Sequence, residues 1–311
     1  MRLVTYQKDG NKRLGALVQE RVVDLNLAFS EKLAREGEPT PKQVADALLP
    51  ADMRSFLRRG DRSMELAREV LDDFQINRSK AVYDREDVRI LAPVTDPGKI
   101  ICLSHNYRDF IEETGVPIPP EPRIFAKYQN AICGPEDAVI KPFATNELGY
   151  EAEVAFIVGK PARNVLEEAA YGYIAGYTIF NDISASDITT RDKQVVRGKT
   201  YDTFAPMGPA LVTADEVPDP MDLEFKLCVN GRELQKSNTK MLLYGIPHLV
   251  AFLSTVFTLE PGDVVATGTP GGIAKYSKNP TYLMPGDVCK IECEILGILE
   301  NRIIDESEVR W

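Results

Sequence analysis

From about residue 93 onward the chain is cut into short apolar runs, and long helices cannot be assembled from such pieces. The runs fall at 99–103, 153–158, 177–180, 210–212, 223–229, 264–266 and 288–295, with Gly, Pro, Asn and Asp between them. Runs of this length bounded by turn formers read as strands. Two segments repeat one pattern, Leu259-Glu260-Pro261-Gly262-Asp263-Val264 and Leu283-Met284-Pro285-Gly286-Asp287-Val288. In each, Pro presets the turn and Gly supplies a positive φ, so a tight turn launches a strand. A stretch at 241–257 has apolar residues on two faces and reads as a helix, with His248 on it as a helix histidine.

The first 92 residues have a different texture. Residues 1–28 alternate apolar and polar around Asp9-Gly10, a hairpin signature. Charged helical stretches follow at 41–49 and 64–74, whose modest apolar stripe suits a covering element. Residues 75–92 are polar and rich in Arg and Asp, which reads as a linker. The expected organisation is a small N-terminal domain, 1–92, and a catalytic domain, 93–311. The expected class is α+β and β-rich.

Charge and cysteine content narrow the partners. With 37 basic and 47 acidic residues the net charge is -10, so neither nucleic acid nor an anionic membrane is an expected partner. No apolar stretch reaches the roughly 18 residues of a spanning helix, and Met1-Arg2-Leu3-Val4-Thr5-Tyr6 lacks the basic flank and apolar core of a signal peptide. Five cysteines without Cys-x-x-Cys spacing read as reduced core residues in a cytoplasmic protein. Only two histidines are present, His105 and His248, so a metal, if held, must be held by oxygen.

The acids offer such a site. Residues 150–159 read as a mostly buried strand opening with Glu151 and Glu153, and side chains at i and i+2 share a face. Two carboxylates about 5 Å apart repel by roughly 3 kcal/mol at an effective dielectric near 20. Burial adds desolvation, so the pair either keeps a proton or surrounds a cation. A second run, 176–180, ends in Asn181-Asp182 and adds a third carboxylate. Three acids completed by water form the hard site that Mg2+ or Mn2+ prefers. By itself, a Glu-x-Glu at a strand start also describes a solvated edge.

Asn106-Tyr107-Arg108-Asp109 with Glu113, Tyr150-Glu151-Ala152-Glu153, Gly176-Tyr177 with Asn181-Asp182-Ile183-Ser184-Ala185, Gly198-Lys199-Thr200-Tyr201-Asp202, Pro206-Met207-Gly208-Pro209 and Thr267-Gly268-Thr269-Pro270-Gly271 occur in that order. Together they resemble the fumarylacetoacetate hydrolase family over roughly residues 95–305. The resemblance implies a mixed β-roll catalytic domain, a homodimer and a divalent cation, Mg2+ or else Mn2+ or Ca2+, on Glu151, Glu153 and Asp182. It implies a small anionic substrate, a 2-oxo or 1,3-diketo acid of the kind met in aromatic catabolism. Lys199 would bind substrate and take part in catalysis, Glu113 would be the lid glutamate, and Tyr107, Gly268 and Thr269 would contact substrate.

Two departures stand out. Many relatives have His three residues before the lid Glu, where it is thought to activate water; this chain has Phe110, which cannot accept a proton. Ser186 and Thr189 replace an Arg and a Gln, removing a carboxylate clamp and suggesting a less anionic or differently oriented substrate. His105 is the candidate to replace the missing base, and Asp109 either contacts the metal or caps the lid segment. C–C hydrolysis is the family default and the expected reaction. Decarboxylation or enol–keto isomerisation of a 2-oxo dicarboxylic acid asks less of a lid base, and a catalytically silent, metabolite-binding member is a further alternative.

Overall fold

The computed structural model describes residues 1–72 and 79–310, and an open, mixed, twelve-stranded sheet runs through its centre. Along the main path the strands are Val82–Asp84, Arg21–Asp24, Asn11–Val18, Arg2–Lys8 and Ala205–Thr213. Ile174–Asn181, Ala152–Val158, Val264–Ala266, Ile100–Ser104 and Arg123–Lys127 complete it. Neighbours on this path are antiparallel except Val264–Ala266 beside Ile100–Ser104. Because Arg2–Lys8 pairs with Ala205–Thr213, the segments on either side of the proposed division at residue 92 share one sheet.

A second sheet, ordered Arg232–Asn238, Glu224–Val229, Val288–Cys293, Gly297–Asp305 and Val139–Lys141, packs on Ile174–Asn181 and Ala205–Thr213. The burial patterns record the difference between the two layers. Every residue of Ala152–Val158 and of Ile174–Asn181 is buried, as a strand covered on both faces requires. Val288–Cys293 alternates between half-buried and buried, the mark of one solvated face. The class is α+β and β-rich, as the sequence suggests.

Local signals act where they were expected. Asp9 (φ 49°) and Gly10 (φ 80°) form the two-residue hairpin turn, whose positive φ pair matches strand twist. In both Pro-Gly-Asp turns the Asp N–H donates to a carbonyl three residues back, Asp263 to Glu260 (2.9 Å) and Asp287 to Met284 (3.0 Å). The helices over the N-terminal strands are Leu25–Arg35, Pro41–Leu48, Met53–Arg58 and Asp61–Asp72. Asp24 and Asp52 cap two of them, accepting from Leu27 and Ser55 N–H. The expected helix end at 73–74 and the linker start at 75–78 lie outside the described residues; within 79–92 the short strands Val82–Asp84 and Arg89–Ile90 join the sheet. The late helix is Ile246–Val256; on it His248 pairs with Glu167 (2.7 Å) at the surface. No helix among the described residues is long and apolar enough to cross a membrane.

Candidate metal centre and cavity

Two central strands deliver the acids to one end of the sheet. Glu151 immediately precedes Ala152–Val158, Glu153 lies within it, and Asp182 immediately follows Ile174–Asn181. The register sets Ala152 opposite Asn181, so the three acids share a corner, and Asp182 N–H donates to the Glu151 carbonyl (2.9 Å). One carboxylate oxygen from each lies within 4.8 Å of the others.

Two lysines face this corner. Lys199 Nζ lies 2.6 Å from Asp182 Oδ2 and 2.8 Å from Glu151 Oε2. Lys127 Nζ lies 2.5 Å from Asp182 Oδ1 and donates to the Ile183 carbonyl (2.9 Å). Burial pushes the Asp182 carboxyl up, but the two ammonium groups outweigh it and hold its pKa below the usual value. Burial likewise opposes the Lys199 charge, yet Asp182 and Glu151 raise its pKa above the ordinary lysine range. Lys127, wholly enclosed, goes the other way: burial outweighs its attraction to Asp182, with Lys199 adding repulsion.

Three carboxylates against two ammonium groups leave one negative charge uncompensated, and it falls on Glu153. Its Oε2 accepts from Gly268 N–H (2.7 Å), while its buried Oε1 has no partner. Burial, then Asp182 and Glu151, push its pKa well up; burial and Asp182 raise Glu151 as well, against the pull of Lys199. A buried, unpartnered carboxylate oxygen beside two further carboxylates fits a divalent cation of the hard, oxygen-preferring class.

Beside the corner opens a cavity of about 160 Å³, below the roughly 300 Å³ at which drug-sized pockets begin. Glu151, Lys199, Ser184 and Thr269 line its inner end; His105, Phe110, Phe125, Lys275 and Tyr276 line its walls and mouth. Ser186 and Thr189, the two departures from the family pattern, also face it. His105 takes a left-handed backbone (φ 58°) at the end of Ile100–Ser104, uncommon for a residue other than glycine. Its ring stacks on Phe110 (centroids 5.2 Å apart), and Phe110 meets Tyr276 edge-on (5.5 Å).

Other expected residues take different places. Tyr107 is wholly buried, packs edge-on against Phe225 (6.1 Å) and does not line the cavity. Gly268 acts through its N–H on Glu153 rather than from the cavity wall, its φ of 102° turning that group inward. Thr269 does face the cavity, but its hydroxyl donates to the Ala152 carbonyl (3.0 Å) and accepts from Gln235 Nε2 (3.0 Å). Asp109 does not join the acidic cluster; its Oδ2 accepts from Ser237 Oγ (2.5 Å) and ties the Arg108–Thr114 helix to Arg232–Asn238. Glu113 accepts from Gly272 N–H (2.6 Å) outside the cavity lining. The close approach needs Gly271, where a Cβ would lie 2.5 Å from Glu113 Oε2. Asn106 clasps the loops through Tyr244 and Thr267.

Sequence reasoning missed Lys127, Phe125, Lys275 and Tyr276. For Lys127 a signal existed: it shares a strand face with Phe125, two residues earlier, although a lysine closing a strand ordinarily reads as solvated.

A family model described as "Fumarylacetoacetate (FAA) hydrolase C-terminal" matches residues 99–304. A Xenopus laevis protein named "Oxaloacetate tautomerase fahd2, mitochondrial" is 38% identical over 310 residues, covering 98% of this chain and 90% of that protein. The solved fumarylacetoacetate hydrolase of psychrophilic Exiguobacterium antarcticum superposes with a TM-score of 0.80 at 31% identity, over 98% of this chain and 100% of that one. Maleylpyruvate hydrolase from Sphingobium sp. SYK-6, solved with manganese (II) and pyruvate, gives a TM-score of 0.75 at 29% identity, covering 98% and 99% of the two chains. The cytoplasmic expectation is corrected here, because relatives 38–40% identical from frog, human, rat and cattle are named as mitochondrial proteins. The reason lies in the signal used: free cysteines do not distinguish one cellular compartment from another.

Proposed function

This chain belongs to the fumarylacetoacetate hydrolase family, and we propose that it is a divalent-metal-dependent enzyme that interconverts the enol and keto forms of a small 2-oxo acid. One observation carries the choice over C–C hydrolysis. Phe110 stands in the cavity wall where a water-activating histidine would be needed, and Glu113 is engaged with Gly272 N–H away from the cavity. His105 does not supply the missing base. Its Nδ1 faces Arg123 Nη1 at 3.4 Å, and a guanidinium can only donate, so the neutral ring carries its proton on Nε2. Hydrolysis needs water made nucleophilic; tautomerisation needs only a proton moved between a carbon and the neighbouring oxygen.

Glu151, Glu153 and Asp182 would hold the ion, which when bound supplies Lewis acidity toward a 2-oxo acid. Lys199 is the chain's own contribution to the chemistry. Asp182 and Glu151 keep it charged and fixed, and its Nζ sits 5.6 Å from the centre of the Phe125 ring. An ammonium so fixed can hold the substrate oxygen and offset the negative charge that develops there as the enol O–H proton leaves to solvent and a solvent proton adds at the neighbouring carbon. The name of the Xenopus laevis relative agrees with this reaction.

The test follows enol-oxaloacetate by its ultraviolet absorbance in Mg2+ or Mn2+, beside pyruvate release from acylpyruvates. The proposal expects metal-dependent acceleration of the absorbance change, a loss of about a hundredfold in Lys199→Ala, and little acylpyruvate cleavage. Cleavage of acylpyruvate faster than tautomerisation would restore the hydrolase reading.

A further inference from the structure

The cavity has two chemically different ends, and only the inner one is used by the proposed reaction. At its mouth, Lys275 belongs to the lining and is exposed, and Arg123, exposed at the start of Arg123–Lys127, reaches His105. Neither cation is ion-paired among the described residues, although the chain carries ten more acids than bases. Exposed cations without an ion pair occur elsewhere among the described residues, as at Lys193 and Lys278, so position rather than the missing partner singles these two out. Both flank one imidazole, and burial together with Arg123 and Lys275 lowers the His105 pKa. A neutral His105 whose Nδ1 receives Arg123 presents Nε2–H as a donor. The left-handed backbone of His105 and the stacking of Phe110 and Tyr276 fix the wall on which this group stands.

We propose that Arg123, His105 and Lys275 form an anion subsite at the cavity mouth that takes the distal carboxylate of a dicarboxylic 2-oxo acid. The inference rests on the reading that the inner end takes the 2-oxo acid group. It also answers the loss of the family's arginine at Ser186: positive charge is supplied from other elements, so the substrate need not be less anionic than those of relatives. The subsite makes dicarboxylates preferred over monocarboxylates without any change at Glu151, Glu153, Asp182 or Lys199.

Calorimetric titration of the Mn2+-loaded protein separates the two ends. Pyruvate and oxalate report the inner end, and 3,3-difluorooxaloacetate, which cannot enolise, reports both. The wild type is expected to bind the difluoro dicarboxylate at least about tenfold more tightly than pyruvate. Arg123→Gln with Lys275→Gln is expected to bring the two within about twofold while pyruvate binding stays unchanged, and Lys275→Arg is expected to keep the preference. Both positions are exposed, so these variants should fold. An unchanged dicarboxylate preference in the double variant, with pyruvate binding intact, overturns the subsite. If pyruvate and oxalate fail to bind but the dicarboxylate binds and weakens in the double variant, the inner-end reading falls and the subsite stands. A wild type that binds none of the three overturns both.

Discussion

Among the described residues, two of the buried ionic networks are built to opposite rules. In the N-terminal segment, Asp24 accepts from Tyr6 Oη (2.5 Å), from Leu27 N–H (2.8 Å) and from Arg13 through both oxygens. Arg13 and Asn26 bond each other, and Asn26 continues to Asp46 and the Leu49 carbonyl. One carboxylate meets one guanidinium, and no side-chain atom of Tyr6, Arg13, Asp24 or Asn26 is left buried without a partner. At the acidic corner three acids meet two lysines, and Glu153 Oε1 has no partner. A satisfied network fixes packing, because every member already has what water would have given it. A network short of one positive charge is at rest only when something joins it, and that marks a site.

Removing the central acid of each network should separate them most widely. Asp182→Ala strands Lys127 and Lys199 without their shared anion, and Lys127 is wholly enclosed. The expected loss is about 3–5 kcal/mol in urea unfolding and roughly a thousandfold in tautomerase activity. Asp24→Ala removes a helix cap and the partner of Arg13, whose side chain keeps 32% exposure to water. There the expected cost is about 1–3 kcal/mol, with kcat/KM changed less than about twofold. A full loss of activity in the Asp24 variant would show that the N-terminal network serves the site and that the contrast is false.

The excess charge gives the next largest effect. A Glu153 pKa raised by burial means that the folded protein holds more protons than the unfolded one above the ordinary glutamate value. Stability of the metal-free protein should therefore fall as pH rises from about 4.5 toward the raised folded value. Urea midpoints in EDTA at pH 5, 6, 7 and 8 should decline, and Mn2+ at a hundred times its Kd should restore about 2.7 kcal/mol at the upper end. Glu153→Gln removes the charge, so the metal-free variant should be more stable than wild type by about 1–2 kcal/mol at pH 7 and deaf to Mn2+. A Glu153→Gln protein less stable than wild type in EDTA would mean that the charge is already balanced.

The contrast explains what could be read from residues alone. Strand alternation put Glu151 and Glu153 together, because a period of two is a property of the backbone and needs no tertiary knowledge. Asp182 was legible at the end of an apolar run, and the sheet register then brought it to the pair. Lys127 was not, because a lysine closing a five-residue strand is buried or solvated according to what covers the sheet there. The mouth was beyond reach for another reason: His105, Arg123 and Lys275 come from three separate segments, and only the closed fold sets Lys275 in the same cavity lining as His105 and Arg123 against His105. The Asn106-Tyr107-Arg108-Asp109 motif raises the opposite question. Its Asn106, Tyr107 and Asp109 clasp, pack and tether the segment leading into Arg108–Thr114, and Tyr107, which the family resemblance sets against substrate, is buried against Phe225 off the cavity lining.

Tyr107 provides the smallest and sharpest test, because it too leaves a buried oxygen unpartnered. Of the four such atoms among the described residues, the Tyr107 and Glu153 oxygens differ in charge. An unpaired phenol costs the desolvation of one neutral group, about 1–3 kcal/mol, and burial, with Glu153 adding to it, raises the Tyr107 pKa well above the tyrosine range, so it stays neutral. Tyr107→Phe deletes that oxygen and keeps the ring that packs edge-on against Phe225. Stability should rise or hold, within about 1 kcal/mol, and KM for oxaloacetate should stay within about twofold. Had Tyr107 contacted substrate, its hydroxyl would be worth about tenfold in KM or more. A missing partner alone therefore does not mark a ligand site; at Glu153 it coincides with two further carboxylates, and at Tyr107 it does not.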